Sequence, residues 1–158
     1  MTTVLFVCTG NICRSPMAAA LLRRRLNDDQ ERRQWRVISA GTWASDGRPA
    51  SAYAIDEMSA REIDLGGHRS RRVDEGLMDQ ADLVLVMTQN HAEALSAAFP
   101  DHAHKVHLLS EMVGKTYNIS DPYGGTRLEY ARAAQELEQL IDAGYERLVT
   151  LAETDSTG

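Results

Sequence analysis

The sequence predicts an α/β fold, a single three-layer domain whose parallel, twisted sheet carries helices on both faces. Three observations support that expectation. Short apolar runs such as Val4 to Val7 lack the alternation of a half-exposed strand, as strands buried on both faces do. Segments with apolar residues at helical spacing alternate with those runs. The length, 158 residues, suits one domain, and no internal repeat or interdomain linker interrupts it.

The first strand is predicted over residues 4–7, ending at Cys8. A loop with Gly10 follows, then Ser15 and Pro16 open a helix rich in Ala and Leu that runs to Leu26. Pro16 suits the first helical turn, Ser15 the capping position, and Arg23, Arg24 and Arg25 the C-terminal end of the dipole. A second strand is expected over 36–40 and a helix over 50–63, closed by Gly66 and Gly67. Residues 82–87 read as a third strand, 90–99 as a helix stopped by Pro100, and 106–109 as a fourth strand. Residues 110–125 read as loop. A long amphipathic helix with Leu137, Leu140, Ile141 and Leu148 is predicted over 128–151. The domain is expected to span 1–151, with a disordered tail over 152–158.

Composition narrows the function classes. Hydrophobic residues make up 43% and charged residues 25%, within the soluble globular range. The apolar run near the N-terminus is too short for a signal peptide or a membrane span, and no membrane partner is expected. A net charge of −6 argues against nucleic acid as a partner, because counterion release needs a basic face. Cys8 and Cys13 are the two cysteines, too few for a secreted disulfide scaffold, so a reducing, cytoplasmic setting is expected. An acidic chain that handles an anion must concentrate its positive potential locally.

Cys8-Thr9-Gly10-Asn11-Ile12-Cys13-Arg14-Ser15 meets that demand. Strand, tight loop, helix is the layout that points backbone N–H groups at an anion. Five residues between Cys8 and Arg14 let the amides of Thr9, Gly10, Asn11, Ile12, Cys13 and Ser15 wrap a phosphoryl group while Arg14 closes the ring. The planar guanidinium of Arg14 grips two oxygens, which lysine does not reproduce. Cys8, at the foot of a nest of amides and a helix N-terminus, is expected to react as a thiolate and to form a phosphocysteine. The loop points to a phosphatase. A Walker-type loop is excluded, since no Gly-Lys-Ser/Thr follows Gly10.

The stretch from Val4 through Met17 resembles the opening of the low-molecular-weight protein tyrosine phosphatases. The similarity continues in Ile38-Ser39-Ala40-Gly41-Thr42, His68-Arg69-Ser70-Arg71, residues 81–87 and Asp121-Pro122-Tyr123-Gly124. The resemblance implies a four-stranded parallel sheet, no metal and no cofactor, and a two-step mechanism. Cys8 would be the nucleophile, Arg14 the phosphate binder, and Asp121 the general acid and then the base. Acid catalysis also follows from chemistry, because a tyrosyl group leaves badly as an anion. Asn11, Ser15, Ser39 and His68 match the family's polar network that braces the loop. Cys13 either pairs reversibly with Cys8, as the resemblance suggests, or is a plain loop residue. Thr88 and Gly124 depart from an aspartate and a tyrosine found in some members.

Trp43 and Tyr123 match the two loops bordering the family's pocket, and with Ile12 they would wall in a flat ring. That favours phosphotyrosine on a protein substrate, with inorganic phosphate as product. A branch of the family acts on phosphoarginine and shares Thr9 and Gly124-Gly125, but typically carries threonine where this chain has Ile12. A monomer or weak homodimer is expected. Three other readings fit less well. An arsenate reductase needs more cysteines, a phosphocarrier has no use for Asp121, and a non-catalytic phosphopeptide-binding module has none for a reactive thiol. His102, His104 and His107 read as loop and strand residues, not metal ligands.

Overall fold

The computed structural model describes residues 1–157 and the side chains of residues 1–154. Four strands, β1 (Thr3–Cys8), β2 (Arg36–Gly41), β3 (Leu83–Val86) and β4 (Val106–Leu108), form one sheet in the order β2-β1-β3-β4. Every pairing is parallel, with Leu5 opposite Ile38 on one side and Val84 on the other. Five α-helices accompany them: α1 (Arg14–Asn27), α2 (Ala52–Ser59), α3 (Glu75–Gln80), α4 (Gln89–Ala98) and α5 (Arg127–Thr157). The apolar run in β1 is explained by burial on both faces. Val4, Phe6 and Cys8 pack toward α1, α2 and α5, whereas Leu5 and Val7 pack toward α3 and α4. Each such side chain contributes about 1.5–3 kcal/mol on burial, so the central strand is anchored from both layers.

The order β2-β1-β3-β4 sends successive connections to opposite sides of β1. Ligands of open α/β sheets bind at such a switch point, outside the C-terminal ends of the strands. Cys8 is the last residue of β1, so the loop that follows sits there by topology. Gly41, at the end of the neighbouring β2, lets that loop approach. A Cβ on Gly41 would lie 2.4 Å from the Thr9 carbonyl oxygen and 2.9 Å from the Ala44 Cβ. Gly41→Ala should therefore lower stability by about 1–3 kcal/mol and also reduce activity, because the displaced neighbour is loop backbone. Thermal melts and aryl phosphate turnover of the variant check both effects.

Several boundaries differ from those read in the sequence. The segment expected to be helical to 63 stops at Ser59. Left-handed Glu62 (φ 61) turns it, and Ile63 N–H donates to the Met58 carbonyl at 2.9 Å. Gly66 and Gly67 play no part in that stop. α3 was not anticipated; it is only six residues long, and Asp74 caps it by accepting from the Leu77 N–H. Ser15 is not the cap of α1 but its second residue, and the cap position belongs to Cys13. Pro100–Lys105 and Leu109–Val113 are 3-10 turns; the second starts at Leu109, expected to end the fourth strand, and continues into the expected loop. α5 runs to Thr157 in one helix, and Gly158 lies outside the described residues. No described helix is long and apolar enough to cross a membrane.

Candidate active site

The loop after β1 turns its carbonyls outward. Cys8 O accepts from Thr42 N–H at 2.9 Å, Thr9 O from Trp43 N–H at 3.0 Å, and Ile12 O from Ser51 N–H at 2.9 Å. Asn11 O accepts from His68 Nε2 at 2.7 Å. These carbonyls are taken by neighbouring segments, whereas among the described residues none of the amides from Thr9 to Cys13 has a protein acceptor, which leaves them available to an anion. Together with the N-terminus of α1 they form an anion-binding nest.

Asn11 makes this geometry possible. It is fully buried and left-handed, with φ 58, a conformation asparagine tolerates better than most residues. Its Nδ2 donates to Ser15 Oγ and Ser39 Oγ, both at 2.9 Å, and its Oδ1 accepts from Arg71 N–H at 3.0 Å. Ser15 Oγ, which accepts from Asn11, lies 2.9 Å from Cys8 Sγ and 3.4 Å from the Ala40 carbonyl, and when Cys8 is ionised its sulfur can only accept, so the Ser15 hydroxyl donates to the thiolate. The residues that the sequence marked as a brace (Asn11, Ser15, Ser39 and His68) therefore meet in one network. The Asn11 carbonyl makes His68 Nε2 the donor, and burial pushes the imidazole below its usual pKa.

Arg14 is almost wholly buried at the far side of the nest. Its Nη1 donates to the Ile119 carbonyl at 2.8 Å and its Nη2 pairs with Asp121 Oδ2 at 3.4 Å. Nε is buried and has no acceptor. A buried, unpaired N–H on a cation is costly, and a phosphoryl oxygen in the nest would satisfy it. One pocket is lined by Cys8, Thr9, Gly10, Ile12, Cys13, Arg14, Arg48, Asp121 and Tyr123.

With that cradle in view, the family profile described as low molecular weight phosphotyrosine protein phosphatase matches residues 3–151. The chain belongs to this family. It is therefore a cysteine-dependent phosphatase, and its single α/β domain is the one found in the family's solved structures. A protein-arginine-phosphatase of Geobacillus stearothermophilus is 40% identical over 148 residues, covering 93% of this chain and 96% of that protein. A probable low-molecular-weight protein-tyrosine-phosphatase of Ralstonia solanacearum, EpsP, is 37% identical over 94% of this chain and 97% of its own length. Among solved structures, the YwlE arginine phosphatase with a cysteine-to-serine change and a phosphorylated active-site serine superposes with a TM-score of 0.85. It is 37% identical, covering 92% of this chain and 95% of that one.

The phosphatase brings most of the expected residues to one place. Asp121 reaches the pocket from the loop before α5, with its Oδ1 fixed by the Tyr123 N–H at 3.0 Å. Left-handed Gly124 (φ 75) then lets Gly125 N–H fold back to the Pro122 carbonyl at 2.8 Å. Ile12 and Tyr123 line the walls, but Trp43 does not. Its backbone joins the phosphate loop, yet its ring is 76% exposed beneath the Arg72 guanidinium, 5.1 Å away. From that same segment Arg48 takes the wall position expected of Trp43. The Cys13 thiol points to Tyr130 Oη at 3.2 Å and Ser51 Oγ at 3.4 Å, and burial raises its pKa. Of the histidines from 102 to 107, His102 pairs with Asp79 (2.8 Å) and Glu75 (3.2 Å) while His107 pairs with Glu111, so they do not converge.

His91 was missed in the sequence. Only 5% exposed, it donates its backbone N–H to Thr88 Oγ1, and its Nδ1 accepts from the Thr88 N–H, both at 3.2 Å. The Thr-x-x-His spacing of a capping box was the available signal, disguised because histidine replaces the usual Glu or Gln. Burial, then the charge of Arg14, pushes His91 from its usual 6.5 down to about 4. A neutral histidine lowered in this way contributes its full stability above pH 6.5. That contribution is lost as the pH falls from 6.5 toward 4, because the unfolded chain takes up the proton first. His68 acts in the same direction. Tm should accordingly fall across this window in thermal melts, and His91→Asn should flatten part of the slope.

Proposed function

We propose that Cys8, Arg14 and Asp121 hydrolyse a phosphorylated protein side chain through a phosphocysteine, and that the side chain is phosphotyrosine. The supporting observation is the nest itself, with Cys8 Sγ at its foot, the unpaired Arg14 Nε at its side and Asp121 3.4 Å from Arg14. The phosphoryl dianion takes the loop amides and the Arg14 fork, replacing Asp121 as partner of Nη2. The Cys8 thiolate attacks phosphorus as the P–O bond to the leaving group breaks. Asp121 gives its proton to that oxygen, leaving phenol and a carboxylate. In the second step Asp121 takes a proton from water, the oxygen attacks phosphorus, the S–P bond breaks, and thiolate and inorganic phosphate result. The phosphorylated serine in the YwlE variant supports a covalent intermediate on the residue that Cys8 matches.

The choice of phosphotyrosine rests on Ile12 and Tyr123, the aliphatic and aromatic side chains among the residues lining the pocket, which suit a flat ring. A phosphoarginine reading is favoured by the 40% identity to an arginine phosphatase. The test is hydrolysis of phosphotyrosine and phosphoarginine peptides by wild type and Ile12→Thr. Wild type should prefer phosphotyrosine, and Ile12→Thr should shift the ratio of kcat/KM values toward phosphoarginine by about tenfold or more. A wild-type preference for phosphoarginine would overturn the pocket argument. A reducing, cytoplasmic setting fits a mechanism that needs Cys8 as a thiol, and both cysteines are free. An acidic chain acting alone or as a weak homodimer, without nucleic acid or membrane, fits the net charge of −6.

A further inference from the structure

We propose that Thr9 and His91 form a side-chain pair that gives the bound phosphoryl group one more hydrogen-bond donor, with His91 as a positioning residue acting through Thr9. The inference rests on the reading of the Cys8 nest as the phosphate site. Thr88 N–H donates to His91 Nδ1, so Nδ1 is the acceptor nitrogen and the ring proton sits on Nε2. Nε2 lies 2.8 Å from Thr9 Oγ1, and Nε2–H therefore donates to the hydroxyl oxygen. A threonine hydroxyl has one proton, and here it cannot be spent on His91. Thr9 is exposed and lines the pocket with Cys8, Gly10, Arg14 and Asp121. The acceptor that occupies this pocket in the reaction is an anionic phosphoryl oxygen.

The arrangement also ties the β3–α4 junction to the phosphate loop. Thr88 and His91 close the capping box of α4, so the ring is held from below while it holds Thr9 from the side. Charged groups near the ring are Arg14 and Asp121. A hydrogen bond to an ionised acceptor is worth roughly ten- to a hundredfold in rate or affinity.

The ring's two nitrogens have separate tasks, and substitution can separate them. The Asn oxygen reaches only as far as Nδ1, so His91→Asn keeps the acceptor for Thr88 N–H and loses Thr9. The longer His91→Gln brings an amide N–H to the position of Nε2. The experiment measures kcat and KM on an aryl phosphate, the inhibition constant of inorganic phosphate, and Tm, at a pH above 6.5, where His91 is neutral. Thr9→Val and His91→Asn should each lower kcat/KM about ten- to a hundredfold and weaken phosphate inhibition alike. Thr9→Ser and His91→Gln should recover most of that loss. The double variant Thr9→Val/His91→Asn should be no worse than either single one, with Tm close to that of His91→Asn. Thr9→Val within about twofold of wild type, or losses that multiply in the double variant, would overturn the pair. A His91→Gln enzyme as impaired as His91→Asn would overturn the part played by Nε2. Every comparison keeps Cys8, so failure here leaves the parent reading intact; that reading fails separately if Cys8→Ser retains turnover.

Discussion

Cys8→Ser should abolish aryl phosphate turnover, a loss of about four orders of magnitude or more, while inorganic phosphate still binds. The two halves of this result have different structural sources. Binding belongs to the loop amides and Arg14, whose positions depend on Asn11, His68 and the outward carbonyl bonds, none of which involves Sγ. Turnover needs an anionic nucleophile. A serine hydroxyl would sit beside Ser15 Oγ, which accepts a hydrogen bond from Asn11. That neighbour stabilises a thiolate, whereas a serine attacks more slowly and, once phosphorylated, is a poorer leaving group than a thiolate in the second step, so turnover stops. Calorimetry with phosphate, alongside steady-state kinetics, checks both halves. Loss of binding together with turnover would mean that Sγ, not the backbone nest, holds the anion.

Asp121→Ala should lower kcat by about two to four orders of magnitude, the range for lost general acid catalysis. The side chain is 46% exposed, but its loss leaves Nη2 of buried Arg14 without its carboxylate, so Tm should fall modestly and recover with bound phosphate. Arg14 keeps its bond to the Ile119 carbonyl and stays in place. The deficit in kcat/KM, which reports transfer to Cys8 and not hydrolysis of the shared phosphocysteine, should depend on the leaving group. Substrates whose phenols leave readily as anions need little protonation and should show a smaller loss than phosphotyrosine itself. Kinetics over a series of aryl phosphates tests this. An equal loss for all of them would assign Asp121 to binding through Arg14 instead of to proton transfer.

The strands were legible because burial on both faces leaves an apolar run with no other explanation, as in β1 and β3. The phosphate loop was legible because Cys8 and Arg14 have a spacing that few structures require. Local patterns failed where tertiary partners decide the outcome. Ser15 looks like a helix cap, but Asn11 and Cys8 claim its hydroxyl. Trp43 looks like a pocket wall, but its ring goes to Arg72 and leaves the wall to Arg48. Glu62 in a left-handed turn contradicts its propensity, and nothing in the local sequence announces it. His91 and Thr9 are 82 residues apart, and only the parallel pairing of β1 with β3 brings them within hydrogen-bond distance.

The most direct test of the account is to quench the enzyme during turnover of an aryl phosphate and map the phosphoryl group by mass spectrometry. Product should appear in a burst, and one phosphoryl group should be found on the peptide carrying Cys8. It should accumulate more strongly when hydrolysis is slowed by Asp121→Ala with a readily departing phenol. Steady turnover with no phosphoryl group on Cys8, in wild type and Asp121→Ala alike, would contradict the covalent mechanism.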